Sequence, residues 1–514
     1  MISPRVAVAI GVAAPLTILC AAGWQRSFSW PMTHDLPLMM YMAFLMDRFA
    51  QLPHADFFDM NVLGGYVAYL AIGKTFGYDA LAMRWADLTV FAAIVALTLA
   101  AFRPLGRLSG WLTAVLFGIS YLRMGPALSL QREYLLLVPM LAAFAIASRW
   151  PTSHPRAAPL FCGLAAGCAM TIKPPMGVIA LPLLVFFVRE RRASPASSWS
   201  LVADISAVAG ILAAGVSIPL LTVASVLASL GVLGAFFDIA ASYLPLYGSL
   251  TAGHQVVVPS ERFSYLLDAW FLFAPQYPWA LGAALGAGAF FMGKSSSDTR
   301  QRRLASLVVG MTLAAALYPA IAGQFWKYHW LPYVYWILAS SSLAFARTDT
   351  WKELRSVCVP VALILLLILN TIRPDRAWGR LLIDHFPVEG TRPAEIAAFL
   401  EQRLAPGDTV QAMDWTDAGV VHGLLLAGAR TATPFLYDFH FYHHVSTDYI
   451  RTLRDRFTTA LDESDARFVI RGKVGPFPTG SDTSRVFPKL DALIARDYRR
   501  VVELPGYDIY ERVR

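Results

Sequence analysis

Apolar residues in this chain fall mostly in unbroken blocks of about 17 to 28 residues, the length that carries a helix across roughly 30 Å of hydrocarbon. Eleven blocks lie near 4–22, 84–102, 110–124, 127–147, 158–172, 175–189, 201–226, 267–291, 304–322, 330–346 and 355–371, those at 110–124, 158–172 and 175–189 being shorter than the rest. Two more apolar stretches, "LPLMMYMAFLMDRFAQL" and "VLGGYVAYLAIGKTFG", lie between the first and second blocks and read as helices in the membrane interface. From about residue 372 the pattern becomes that of a soluble α/β domain. "RPAEIAAFLEQRL" predicts a helix, "TVQAMD" a strand and 446–463 a helix; "ARFVIRG" predicts a strand, "LDALIARDY" a helix and "VVELPGYDIYER" the close of the chain. The sequence thus divides into a membrane domain over 1–371, with a large first loop at 23–83, and a soluble domain over 372–514.

Charge orients this pattern. Arg103 and Arg107, Arg149 and Arg156, Arg189 to Arg192, Lys294 to Arg303, and Arg347 to Arg355 mark alternate loops, and the positive-inside rule makes those loops cytoplasmic. The loops 23–83, 227–266 and 323–329 then face outward, as does 372–514. The N-terminal block reads as an uncleaved first helix. Only 15% of the 514 residues are charged, against roughly 25% for an ordinary soluble protein. The net charge of +8 follows from the loop arginines and lysines, so nucleic acid is not an expected partner. Cys20, Cys162, Cys168 and Cys358 all sit in apolar segments and form neither a disulfide framework nor a zinc motif.

Against this background the first outer loop is unusually acidic, with Asp35, Asp47, Asp56 and Asp59. Asp35 precedes a helix that has Pro37 near its start, so it is a candidate N-cap as well as a candidate catalytic carboxylate. Asp56 and Asp59 read as turn formers, as groups orienting an acceptor, or as ligands of a divalent cation that nothing nearby completes. Asp47 reads as a solvated helix residue. Arg132 and Glu133 fall one or two turns inside the fourth span. Adjacent helix positions point about 100° apart, so each needs a partner elsewhere. Lys173 in "TIKPPMG" stands at a proline-broken outer turn. Lys327 and His329 share the outer "QFWKYHW". "AMDWTDAG" reads as a strand-to-helix turn, and "YDFHFYHH" as a surface or substrate-facing loop.

One carboxylate and several cations on one side of a membrane suit a sugar carried on a polyprenyl phosphate. The phosphate is already a good leaving group, so no acid is needed. A single base toward an acceptor hydroxyl suffices, with fixed cations on the departing phosphate. Glycoside hydrolysis, by contrast, generally takes two carboxylates.

The run from Asp35 through "FAQLPHADFFDMNVLGGYVAYLAIGKTFG" resembles the first outer loop of bacterial GT-C glycosyltransferases. There an Asp and a helix precede "G-x-P-Y-x-D-x-x-x-x-x-P-P" and an apolar stretch ending in Phe-Gly. "ALAMRWADL", "QREYLL", "IKPPMG", "QFWKYHWLP" and the final "YDIYER" are similar to later family features. Val62-Leu63 stands where the family often has Pro-Pro, and His54-Ala55 replaces its Tyr. The resemblance implies a polytopic α-helical membrane protein of GT-C type with a C-terminal extracytoplasmic α/β domain. By position it implies that Asp35 is the catalytic aspartate and Asp56 the second acidic position. The expected activity is inverting transfer from a polyprenyl-phosphate sugar to a glycan, lipid or protein acceptor at the bacterial inner membrane. Lys173, Lys327, His329 and Arg132 are then candidates for the donor phosphate, and a divalent cation is the one cofactor left open. A transporter of lipid-linked sugars and a non-catalytic partner in polysaccharide assembly are the alternatives. The first should show repeated halves or interrupted spans in matching positions, and the sequence shows neither.

Overall fold

The computed structural model describes residues 14–346 apart from 152, 194–199, 275–278 and 293–297, and residues 391–513 apart from 416–417 and 476. The block at 355–371 and the start of the first block lie outside the described residues. The chain forms two compact units. Among the described residues, one collects 14–28, 84–223 and 267–346, and the other collects 29–83, 224–266 and 391–513.

The first unit is helical. Three described helices are long and apolar enough to cross a membrane: Ala80–Phe102, Leu201–Ser229 and Thr299–Ala322. Ala157–Ile172 and Trp279–Met292 are shorter apolar helices. At the centre is Leu331–Ser342, every residue of which is buried. It packs against Trp279–Met292, Thr299–Ala322 and Arg107–Met124. With lipid outside the bundle there is little hydrophobic drive between helices, and close backbone approach matters instead. Gly286 provides it: a Cβ there would lie 2.3 Å from the Ser341 carbonyl oxygen. Between Ala157–Ile172 and Leu201–Ser229, a Cβ on Gly215 would lie 2.1 Å from the Leu160 carbonyl oxygen.

Two expected spans are interrupted. The block 127–147 is a 3-10 turn at Pro126–Leu128, a single helical turn at Arg132–Leu135 and a helix at Leu137–Arg149. Arg132 and Glu133 therefore open a helix rather than lying a turn or two inside one. The block 175–189 begins as a 3-10 segment, Pro174–Ile179, because consecutive prolines withhold two amide donors, and continues as Ala180–Arg192.

The second unit contains a five-stranded sheet. Its strands are β2 (Thr409–Met413), β3 (Arg430–Thr431), β4 (Ala466–Gly472), β6 (Tyr498–Glu503) and β7 (Tyr507–Arg512), in the order β3-β2-β4-β7-β6. β2 runs parallel to β3 and β4, while β7 is antiparallel to β4 and β6. The predicted helices appear as Arg392–Glu401, Asp448–Glu463 and Pro488–Asp497. Their core is not drawn from the C-terminal stretch alone: Phe58, Ile239 and Tyr243 pack with Phe435, Phe441, Phe457 and Val469. A parallel pair joins β1 (Gln255–Val256) to β5 (Thr479–Gly480), and the Phe58 amide donates to the Pro434 carbonyl at 2.7 Å. Both expected first-loop helices form, as Asp35–Phe49 and Leu63–Phe76. The first is covered by protein through most of its length; it packs on Val420–Leu426, and its Tyr41 hydroxyl donates to the Ala429 carbonyl at 2.9 Å.

Candidate active-site constellations

In the helical unit the candidate cations gather around one carboxylate. Glu133 is fully buried. Its Oε1 lies 3.6 Å from the Lys173 ammonium and 3.6 Å from His329 Nε2, and accepts the Tyr318 hydroxyl at 2.7 Å. Arg132 is within electrostatic reach of the same carboxylate. Each contributor comes from a broken element. Ala157–Ile172 ends at Lys173, whose extended backbone and following prolines turn its side chain out of the helix. His329 lies in the 3-10 turn Lys327–Trp330. Lys327 opens that turn but is exposed, and its side chain makes no hydrogen bond or ion pair among the described residues. Two permanent cations and an imidazole around one carboxylate leave surplus positive charge, which suits an anionic ligand.

A second buried knot fixes the irregular segment before Arg132. Asp87 is fully buried beside Arg84, at 3.4 Å. It accepts the Tyr121 hydroxyl at 2.7 Å and the Ser129 hydroxyl at 2.6 Å, while the Leu130 amide donates to Tyr121 at 3.1 Å. Leu130 itself has φ of 51°, a left-handed conformation that a branched residue adopts only under constraint. Sequence reasoning assigned no role to Arg84, Asp87 or Tyr318. The available signal was a pair of charges three residues apart within an apolar block.

The same unit holds a groove of about 350 Å³. Ala283, Ala287, Leu313, Ala316, Tyr333 and Ile337 are among the side chains that make it strongly apolar.

In the second unit Asp35 is the first residue of its helix rather than the N-cap, which is His34. The N-cap expectation is therefore off by one residue. Asp35 is buried, with its Oδ1 3.1 Å from His34 Nδ1. His254 also feels both His34 and Asp35. Burial, aided by His34 and opposed by Asp35, pushes His254 down to about 4, so its imidazole is neutral at pH 7. His34 and His254 have φ of 60° and 61°. Such strain persists only where surrounding structure enforces it, and it concentrates at functional sites.

The other first-loop carboxylates diverge. Asp56 accepts the Leu52 amide at 2.7 Å and closes its own turn. Asp59 is buried and accepts from Tyr66, from Tyr437 at 2.9 Å and from Asn61. Asp47 pairs with Lys74 at 3.4 Å and Arg48 at 3.6 Å. No three His, Cys, Asp or Glu residues converge as a metal site among the described residues.

"AMDWTDAG" is a strand-to-helix turn: Asp414 accepts the Ala418 and Val420 amides at 3.2 and 3.0 Å, at the start of Val420–Leu426. "YDFHFYHH" is not a surface loop. His440 and His443 are fully buried, because Phe439, Phe441 and Tyr437 carry the segment into the core.

No family model matches the sequence, and no curated protein matches it. Among solved structures the chain is similar to ArnT from Cupriavidus metallidurans, a GT-C glycosyltransferase, in two crystal forms. The form bound to undecaprenyl phosphate aligns with a TM-score of 0.58 at 14% identity, covering 98% of each chain. The apo form aligns at 0.55, again with 14% identity and 98% of each chain. The apo oligosaccharyltransferase of Archaeoglobus fulgidus aligns at 0.45 and 12% identity, over 90% of this chain and 69% of that one. The likeness to ArnT gives this chain a GT-C-type fold over nearly its whole length.

Proposed function

We propose that a protein with this GT-C-type fold is a membrane glycosyltransferase that takes its sugar from a polyprenyl-phosphate donor. The observation that carries this reading is the convergence of Lys173, His329 and Arg132 on Glu133, deep within an apolar unit. A charge cluster inside a membrane unit is costly without a function. A lipid-borne phosphate needs such a cluster, and the apolar groove of about 350 Å³ in the same unit suits its hydrocarbon tail. ArnT in its ligand-bound form holds undecaprenyl phosphate.

In the proposed reaction an acceptor hydroxyl oxygen attacks the anomeric carbon of the donor sugar. Asp35 takes the hydroxyl proton. The bond from the anomeric carbon to the phosphate oxygen breaks, and the phosphate leaves with the electron pair, without protonation. Lys173, Arg132 and His329 stabilise the charge developing on it. A single displacement inverts the anomeric configuration. Asp56 and Asp59 shape the acceptor side, with Asp59 held rigid by its tyrosines. The reaction takes place on the outer face of a bacterial inner membrane, because loop charge places the soluble stretches outside.

The test is purified protein in lipid nanodiscs, offered a polyprenyl-phosphate sugar or the corresponding nucleotide sugar, with the product anomer read by NMR. Inverted product from the lipid donor alone is expected. Direct transfer from the nucleotide sugar refutes the reading.

A further inference from the structure

A second cavity, of about 180 Å³, lies wholly within the second unit, and the candidate catalytic groups do not line it. Its place in the sheet is informative. From β2 the chain passes to β3 on one side, then crosses to β4 on the other, so β2 and β4 are parallel neighbours with a reversal of strand order between them. The crevice at the carboxyl ends of two such strands is where open α/β sheets bind ligands. This cavity sits at those ends. Met413, Asp414 and Trp415 follow β2, and Arg471 through Gly475 close β4 and continue beyond it.

Its lining has the chemistry of a sugar site. Two aromatic pairs contribute: Trp415 against Phe439, with centroids 4.0 Å apart, and Tyr442 against Phe477, at 4.6 Å. Ring faces carry negative potential and attract the polarised C–H groups of a pyranose face. The buried Asp438 carboxylate accepts the Tyr442 hydroxyl at 2.9 Å and adds a polar group to the lining.

Three cations complete the lining, and they are not equivalent. Lys473 is engaged by Asp508 at 2.6 Å, and Arg471 by Asp491 at 2.9 Å. The Arg485 guanidinium lies 4.2 Å from the centroid of Phe477, and no carboxylate is within ion-pair distance of it among the described residues. Asp414 is spent on the helix start that follows β2. The cavity therefore offers a planar, charged fork with no internal counter-ion, next to stacking surfaces.

We propose that this cavity binds a sugar residue bearing an acidic group, carboxylate or phosphate, with the ring between the aromatic pairs and the anion on Arg485. The outer side of the Trp415–Phe439 pair carries His254, whose ring centroid lies 4.6 Å from that of Trp415 and which senses Asp35. The bound residue is accordingly part of the acceptor glycan, an assignment that rests on the transferase reading, whereas the binding itself does not.

The experiment uses full-length protein in nanodiscs without donor, and ligand-observed saturation-transfer NMR. The probes are methyl β-glucuronoside, glucose 6-phosphate and methyl β-glucoside. Saturable binding of at least one anionic sugar is expected, with the neutral glycoside about tenfold weaker or more. A stronger glucuronoside signal identifies a uronic acid, and a stronger phosphate signal identifies a phosphorylated glycan. Arg485→Gln, an exposed position, should remove that tenfold preference while leaving the melting temperature unchanged. Trp415→Ala should weaken all three probes. The proposal is overturned if neither anionic sugar binds saturably, if the neutral one binds equally well, or if Arg485→Gln leaves the preference intact. Asp35→Asn should bind the probes as the parent does even though transfer stops. Binding that survives without any transferase activity in the parent would remove the acceptor assignment and keep the site.

Discussion

The Tyr318 hydroxyl donates to Glu133 at 2.7 Å, from a helix that begins more than a hundred residues after the carboxylate it serves. Glu133 lies among the cations, and on the proposed reading an incoming phosphate competes with it for them. Glu133→Gln should therefore lower the melting temperature of the empty protein, since the buried cations lose their counter-charge. It should also tighten binding of undecaprenyl phosphate. Thermal shift with and without the lipid measures both effects, and weaker lipid binding in the variant would show that Glu133 is not in competition with phosphate. Tyr318→Phe should cost about 1.5–3 kcal/mol, the usual worth of a hydrogen bond to a charged group.

Lys173 and Lys327 should separate. Lys173→Met keeps the apolar stem and removes the charge, and should slow transfer about 10²–10³-fold, as loss of an oriented electrostatic stabiliser does. Lys327 is exposed and lies outside the Glu133 set, so Lys327→Met should turn over near the parental rate. Single-turnover rates with a lipid-linked donor decide this. Equal losses in both variants would give Lys327 a place on the phosphate.

Asp35→Asn should fold as the parent does and lose most transfer activity. Asn serves a helix start about as well as Asp, and an amide cannot take the acceptor's proton. Asp47→Asn, in a surface ion pair, should remain active. Normal turnover in Asp35→Asn would pass the role of base to Asp56.

The second unit should lose stability as pH falls below about 6.5. Burial holds His254 and His422 at about 4 and His443 at about 3, against 6.5 for a free imidazole. Between those values the unfolded chain binds protons that the folded chain refuses, so stability rises with pH across the window and falls on acidification. Asp438 acts in the opposite sense. Burial raises it to about 6, so the folded carboxyl keeps a proton between 3.8 and 6 that the unfolded chain releases. Three imidazoles outweigh one carboxyl. Hydrogen exchange of β2 and β4 should be faster at pH 5 than at pH 7, after correction for intrinsic rates; equal protection would contradict the assignment.

Cysteines placed at Ser153 and Ser481, both exposed, should label from opposite sides of the membrane in a cysteine-free background. Labelling from one side would overturn the loop-charge orientation.

Much of this molecule is legible in its sequence where one element carries one signal. Apolar blocks gave the helices at Ala80–Phe102 and Thr299–Ala322, and alternating segments gave β2 and β4. The requirement that Glu133 find a partner elsewhere was legible, while the identity of those partners, Lys173 and His329, was not. Tyr318 was out of reach, because a tyrosine in an apolar helix looks the same whether its hydroxyl meets lipid or a buried carboxylate. The histidines of 440–444 left a surface and a substrate-facing reading open, and the aromatic residues between them set a depth that removes the first. The break at 125–131 was hidden because its polar stitching comes partly from Asp87, 42 residues upstream of Ser129.

The Tyr437 hydroxyl reaches Asp59 across 378 positions of chain. At roughly 5–20 residues per second, a ribosome takes roughly 20–75 s to make that distance, and through that interval Asp59 and Phe58 lack the partners they have in the finished fold. A transcript interrupted before codon 437 would yield a product with nearly all its hydrophobic helices and no closed core around Phe58. Synthesis of the last quarter thus acts as a completeness check on the first tenth. Substitutions at Phe58 should be cleared by membrane proteases as efficiently as substitutions at Phe435, although they lie in regions that would ordinarily be assigned to different domains.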